Sequence, residues 1–338
     1  ITTAGNQRIT GVRVRSRTDG AKERTLPADL VIDCTGRGSR TSSWLRELGY
    51  PQPPTDELRI DLAYSSCHYR LPPEAVGEDV AIVIGPTPDA PYGGTLFRIE
   101  DDRWIVSLAG IAGTIPPTDP AAFESFAAGF VAPDIHAALT AGDRLDDPVL
   151  LRFPADVRRR YERLRRFPAG LLAAGDAVCA FNPIYGQGMS VAALEAERLR
   201  ELLGDGGPPG ARTWFRAVAG IVKGPWEMAT GADLALPQVE GRRPVATRLV
   251  NAYLARYQAA AAYDPVLAER FIRVVNLLDG PQSLLHPANV RRTYRHRPGS
   301  IAAALSSLRP AGRRRVAWTR RSAARSSGSP TGSWPLGR

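Results

Sequence analysis

The segment that most constrains this chain runs from residue 171 to 203, LLAAGDAVCAFNPIYGQGMSVAALEAERLRELL. An apolar run ends in Gly175-Asp176, and a stretch containing Pro, Tyr and Gly then leads to an amphipathic helix. Plain β–α connections take roughly two to six residues, so this one is long for a turn. The run Leu171–Ala174 reads as a buried strand, and Gly175 lets the backbone turn at its carboxyl end. Asp176 then stands at the strand tip, where open α/β sheets receive ligands. A carboxylate there suits ribose-like or ribityl hydroxyls. Pro183 fixes one bend, and Gly186 and Gly188 permit close approach of a flat ligand. The following helix, predicted over Val191–Leu203, would turn its N-terminal N–H groups near Met189 and Ser190 toward an electron-rich carbonyl. A polyol, a flat ring and a carbonyl that becomes anionic on reduction together describe a flavin. The same residues also fit a ligand-free β–α loop with Asp176 as a local cap.

The rest of the chain supplies an α/β context. "RITGVRVRSRTDGAKERTLPADLVIDCTG" reads as a strand, a turn at Asp19-Gly20 and a buried strand at Leu30–Cys34. A short helix, SSWLRELGY, follows, with Ser42 or Ser43 as N-cap and Gly49 closing it. Strand-like runs occupy LRIDLAYSSCHYRL, DVAIVIGPT and GGTLFRIEDDRWIVSLAGIAG, the last folding back through Glu100-Asp101-Asp102. Residues 119–145 carry two short helical patterns, and residues 212–279 are mostly helical.

The 338 residues allow one large domain or two. No apolar run approaches the roughly 20 residues of a membrane helix, and the N-terminus lacks a signal-peptide pattern. Cys34, Cys67 and Cys179 are widely spaced, which excludes a zinc site or disulfide framework and points to reduced thiols in a cytoplasmic protein. The net charge of +10 invites a nucleic-acid reading, but its distribution opposes it. Residues 291–338 hold twelve Arg and no acidic residue, so the first 290 residues are near neutral at −2. The Arg-rich run DVRRRYERLRRF reads as a solvated face or a loop near cofactor phosphates. His68 and His136 read as surface or core residues, and Trp104, Trp214 and Trp226 as packing residues.

"GDAVCAFNPIYGQGMSVAALEA" resembles the second flavin-contact motif of FAD-dependent monooxygenases of the para-hydroxybenzoate hydroxylase and squalene epoxidase type. In that family Gly-Asp precedes a Pro and a G-x-G before a long helix. The resemblance implies that Gly175 and Asp176 bind the cofactor, Asp176 through the ribityl chain, and that Pro183, Gly186, Gln187, Gly188 and Met189 lie along the isoalloxazine. The His often found in the family falls at Val178 or Cys179. "ADLVIDCTGRGSRTSSWL" alone reads as a strand and turn, because Thr41 occupies the third position of G-x-G-x-x-G. Beside the first motif it resembles the family's D-x-x-G-R-x-S segment. That places Gly36 near the cofactor and Arg37 and Ser39 in the same crevice.

The resemblance spans roughly residues 8–285 and implies an α/β fold: an incomplete Rossmann-like FAD-binding domain with an inserted antiparallel β-sheet substrate domain and a helical C-terminal region. The expected division is 1–56 and 151–210 for the FAD domain, 57–150 for the substrate-covering sheet, 211–290 for the helical region and 291–338 for a disordered Arg-rich tail. The family's opening G-x-G-x-x-G segment, which holds the FAD pyrophosphate, has no counterpart here, and the expectation is that it is missing from this chain. The implied activity is NAD(P)H-dependent monooxygenation through a flavin hydroperoxide, by hydroxylation or epoxidation. The substrates would be O₂ and an apolar or aromatic small molecule, with no nucleic-acid partner and no catalytic side chain assigned. A flavin-dependent double-bond reductase of the geranylgeranyl reductase type, or a truncated non-catalytic remnant, are the alternatives.

Overall fold

The computed structural model describes residues 1–16, 22–204 and 206–295. The chain first lays down a small antiparallel sheet, β1 (Thr2–Ala4), β2 (Arg8–Val14) and β3 (Arg24–Pro27). Gly11 is required there, since a Cβ would sit 2.2 Å from the Leu26 carbonyl oxygen. The turn expected at Asp19-Gly20 lies outside the described residues.

Strand β4 (Val31–Asp33) then leads through a one-turn 3₁₀ helix, Gly36–Gly38, into α1 (Thr41–Glu47). The serines expected to cap α1 instead lie in its first turn. Helix formation starts earlier because the Thr41 hydroxyl donates to buried Asp33, at 2.5 Å, and the Thr41 N–H donates to Ser39 Oγ.

Strand β5 (Thr55–Arg70) begins a large antiparallel sheet. It continues, after α2 (Pro73–Val76), with β6 (Ala81–Ile84), β7 (Tyr92–Arg98) and β8 (Arg103–Gly110), then α3 (Pro120–Ala128), α4 (Asp134–Ala141), β9 (Asp143–Arg144) and β10 (Val149–Arg159). Alternation along β5 serves two cores on opposite faces. Cys67 and Tyr69 pack with Val106, Leu108, Phe123 and Ile135 beneath α3 and α4, whereas Leu58, Ile60 and Leu62 pack with Phe153, Leu236 and Val239. The β7–β8 turn lies at Asp101-Asp102, both residues left-handed at φ +59° and +53°.

Strand β11 (Leu171–Ala173) pairs in parallel with β4, register Leu171↔Val31 to Ala173↔Asp33. Its core is completed by β12 (Cys179–Ala180), α5 (Gly188–Gly204) and α6 (Ala211–Asp233). Trp214 of α6 is fully buried, and its indole N–H donates to the Ala173 carbonyl at 2.8 Å. Helix α5 starts three residues before the predicted Val191, because Gly188–Ser190 are drawn into its first turn. Helices α7 (Val245–Ala261), α8 (Pro265–Val275) and α9 (Pro287–Arg295) close the described chain.

Helix α9 corrects the expectation of a disordered segment beginning at 291. Asn289 and Thr293 are buried, and Arg292 pairs with Asp264 at 2.8 Å, so this face packs despite its low apolar content. The remainder of the expected tail lies outside the described residues. No described helix is long and apolar enough to cross a membrane.

Candidate functional site

The site is built where the carboxyl ends of β4 and β11 lie side by side, the position at which parallel sheets present ligand-binding loops. Each strand opens into a left-handed glycine, Gly36 at φ +74° and Gly175 at φ +60°, and then a single 3₁₀ turn. The two turns face one another: a Cβ on Gly36 would lie 4.0 Å from the Asp176 Cβ.

Asp33 organises the first turn. Its Oδ1 accepts from the Thr35 N–H (2.9 Å) and hydroxyl (2.6 Å), and its Oδ2 from the hydroxyls of Ser39 (2.6 Å) and Thr41 (2.5 Å). Burial pushes this carboxyl up, but the bonds from Ser39, Thr35 and Thr41 outweigh it and hold it below its usual range. Ser39 is therefore turned inward to Asp33. Arg37 remains half-buried, its guanidinium carbon 4.2 Å above the Phe153 ring.

Arg159, at the end of β10, ties the turns together by donating to the carbonyls of Arg37 (2.9 Å), Asp176 (3.3 Å) and Ala177 (3.1 Å). From below, buried Glu195 of α5 accepts the Gly175 N–H at 2.6 Å. Burial raises the Glu195 carboxyl to about 7, and its other oxygen has no donor among the described residues. Sequence reading missed Asp33, Arg159 and Glu195 as site residues. The Arg-rich run and the i,i+4 spacing of Val191 and Glu195 were visible, but nothing local says which Arg or Glu turns inward.

Asp176 itself is exposed, and its carboxylate accepts no hydrogen bond from the described residues. Partial burial raises its pKa, opposed by the Arg37 guanidinium. A Cβ on Gly188, the first residue of α5, would lie 3.9 Å from Asp176 Oδ1. The N–H groups of Gly188, Met189 and Ser190 have no acceptor among the described residues, while the Val191 N–H donates to Gln187 O. Met189 is 86% exposed beside them.

Between the second turn and α5, Pro183–Tyr185 forms a 3₁₀ turn closed by left-handed Gly186 (φ +66°), where an added Cβ would meet nothing. Asn182 Oδ1 accepts the Ile184 N–H at the start of this turn. Gln187 differs from its neighbours: its side chain is buried and donates to the Val275 carbonyl of α8 at 2.9 Å. Only its backbone can face a ligand. The structure thus gathers Gly36, Arg37, Gly175, Asp176 and Gly188 around one crevice, with Pro183, Gly186 and Met189 along the adjoining loop.

The overall fold that carries these turns has counterparts among known structures. The chain aligns with the flavin-dependent brominase Bmp2 at TM-score 0.55 and 16% identity, over 87% of this chain and 68% of the brominase. It also aligns with a flavoprotein/dehydrogenase of Cytophaga hutchinsonii at TM-score 0.53 and 14% identity, over 86% and 64%. The fold is that of these flavoproteins. In sequence, the chain is 34% identical over 285 residues to protein Rv3254 of Mycobacterium tuberculosis, a match covering 81% of this chain. The chain spans 59% of that relative's length. No protein-family model matches it.

Proposed function

We propose that this chain forms the flavin-cradling part of an FAD-dependent monooxygenase that takes electrons from NAD(P)H and acts with O₂ on an apolar or aromatic small molecule. One observation carries the reading: an exposed carboxylate with no donor among the described residues, Asp176, stands beside the open N-terminus of α5 and the Gly36 turn. The residues fit a flavin. Left-handed Gly186 leaves open space, Asp176 can accept from ribityl hydroxyls, and the N–H groups of Gly188–Ser190 can face an electron-rich carbonyl.

Bound FAD would supply two-electron transfer and oxygen activation. The protein's share is positional. Arg159 and Glu195 lock the second turn so that Asp176 is presented at a fixed place, and the α5 N-terminus offers a positive dipole end to negative charge on the ring's polar edge. The β5–β8 sheet is the natural cover for the substrate side.

Titration with FAD, followed by flavin fluorescence and visible absorption, tests the reading. Wild type should bind, and Asp176→Ala should weaken binding by roughly ten- to a hundredfold through loss of charge-assisted hydrogen bonds. Its melting temperature should hardly change, because the carboxylate has no donor among the described residues. No flavin binding by wild type would sink the proposal. NADPH-dependent oxygen uptake is the assay that follows.

A further inference from the structure

Beneath the Pro183 bend lie two fully buried carboxyls from distant parts of the chain, Asp156 of β10 and Asp233 at the end of α6. Asp156 Oδ1 accepts the Asn182 N–H at 2.5 Å. Asp233 Oδ1 accepts the Asn182 side-chain amide at 2.8 Å and the Tyr185 hydroxyl at 2.7 Å. Both Oδ2 atoms are buried without a donor from any other described residue, and the two carboxyls interact directly with each other.

No described Arg or Lys forms an ion pair with either carboxyl. Arg37, on the 3₁₀ turn after β4, acts on Asp156 only from a distance and lies over Phe153. Arg243, beyond α6, is spent on the carbonyls of Leu234, Leu236 and Val239. The remaining titratable neighbours, Tyr185 on the loop and Cys179 on β12, are both pushed up by burial and are neutral. Two adjacent buried carboxylates without a cation cannot both be ionised. A single proton between the Oδ2 atoms satisfies both.

We propose that Asp156 and Asp233 share one proton, and that this proton clasps the Asn182–Tyr185 bend to the end of α6, making the cofactor loop sensitive to pH. Asn182 and Tyr185 bracket Pro183 and Ile184, so ionising both acids would force the bend off its anchor. The pair positions the loop and takes no part in chemistry. The cofactor part of this inference rests on the proposed flavin site; the shared proton does not.

Equilibrium unfolding between about pH 5 and 8.5 is measured for wild type, Asp156→Asn and Asp233→Asn. In either variant the amide NH₂ replaces the proton and donates to the partner's Oδ2. The wild-type folding constant should then fall about tenfold more per pH unit than that of the variants, the signature of one extra proton bound on folding. Glu195 and Asp176 contribute alike to all three proteins and cancel. Equal slopes would overturn the shared proton. Should the variants not fold, infrared spectra of the wild type at about pH 8.5 give the same readout: a protonated-carboxyl band present in the folded and absent in the unfolded protein.

The FAD dissociation constant is then followed from about pH 7 to 9.5. It should rise at least tenfold in wild type and stay level in the Asn variants. A level wild-type profile would overturn the clasp while keeping the proton. Absence of FAD binding at every pH would instead overturn the flavin reading, and leave the unfolding experiment to decide the shared proton.

Discussion

Asp33, Asp176 and Glu195 show how three carboxyls within one crevice acquire different work. Among the described residues, Asp33 accepts four hydrogen bonds and is a structural hub, Asp176 accepts none, and Glu195 accepts one from the Gly175 N–H. Donor count and burial decide the roles, since the chemistry of the groups is nearly the same. Glu195 is also a pH-dependent support. Its folded value, about 7, lies above the ordinary 4.5, so its protonated form is favoured in the fold. Its contribution is complete below the ordinary value and is lost as pH rises through about 7. Glu195→Gln should therefore flatten the stability profile between about pH 5 and 7, by up to about 1.4 kcal/mol per pH unit. Chemical denaturation across that range checks it, and an unchanged slope would show that Glu195 is ionised in the fold.

At the scale of elements, β4 and β11 are only three residues long each, and side-chain and backbone ties reinforce their short ladder. The Trp214 indole caps the Ala173 carbonyl, the Ala174 N–H donates to Asp33 O, and Arg159 spans both turns. The β7–β8 hairpin carries a local cost, because neither Asp101 nor Asp102 is at ease at positive φ. Such two-residue turns favour Gly at the second position. Asp102→Gly should raise stability by roughly 0.5–1 kcal/mol, read as a higher melting temperature. A fall would mean that the exposed Arg98–Asp102 ion pair outweighs the backbone strain. Helix α9 also carries a prediction. A chain ending at residue 290 loses Arg292 and buried Thr293 and should melt several degrees below one ending at residue 295. Equal melting temperatures would show that the last turns of α9 add nothing.

Across the whole molecule the buried acids dominate the pH response. Burial raises Glu195 to about 7, and it also raises Asp176 and the Asp156–Asp233 pair, whose mutual repulsion adds to the rise at Asp156. The native state therefore binds more protons than the unfolded chain from about pH 4.5 through neutrality, and stability falls as pH rises through that range. Asp33 acts in the opposite sense: held below its ordinary 3.8, it contributes stability above that value and loses it as pH falls through its folded value. Maximal stability is thus expected near about pH 4.5–5.5, well below the pI of about 10.0. Melting curves across pH check this, and a maximum above neutrality would contradict it. The pI reflects the twelve Arg of residues 291–338 rather than the near-neutral body of the chain.

Much of the architecture follows from local pattern. Alternating apolar residues set β5, β7 and β8; the Gly-Asp step after an apolar run set the turn at Gly175; and 3.6-residue periodicity set α5–α8. These are short-range effects, in which a residue's neighbours along the chain decide its conformation. Local pattern failed where a long-range contact outweighs it. Thr41 was pulled into α1 by Asp33, eight residues away, and polar α9 packs because Asp264 meets Arg292. The same division holds at the candidate site. Gly36, Gly175, Asp176, Gly186 and Gly188 are legible in sequence, because backbone freedom and a carboxylate at a strand end are local properties. Only the tertiary structure aimed Gln187 inward at Val275, set Arg159 across both turns and brought Asp156 against Asp233. Those pairings join residues up to 122 positions apart, and a one-dimensional pattern carries no information on which polar side chains burial will bring together.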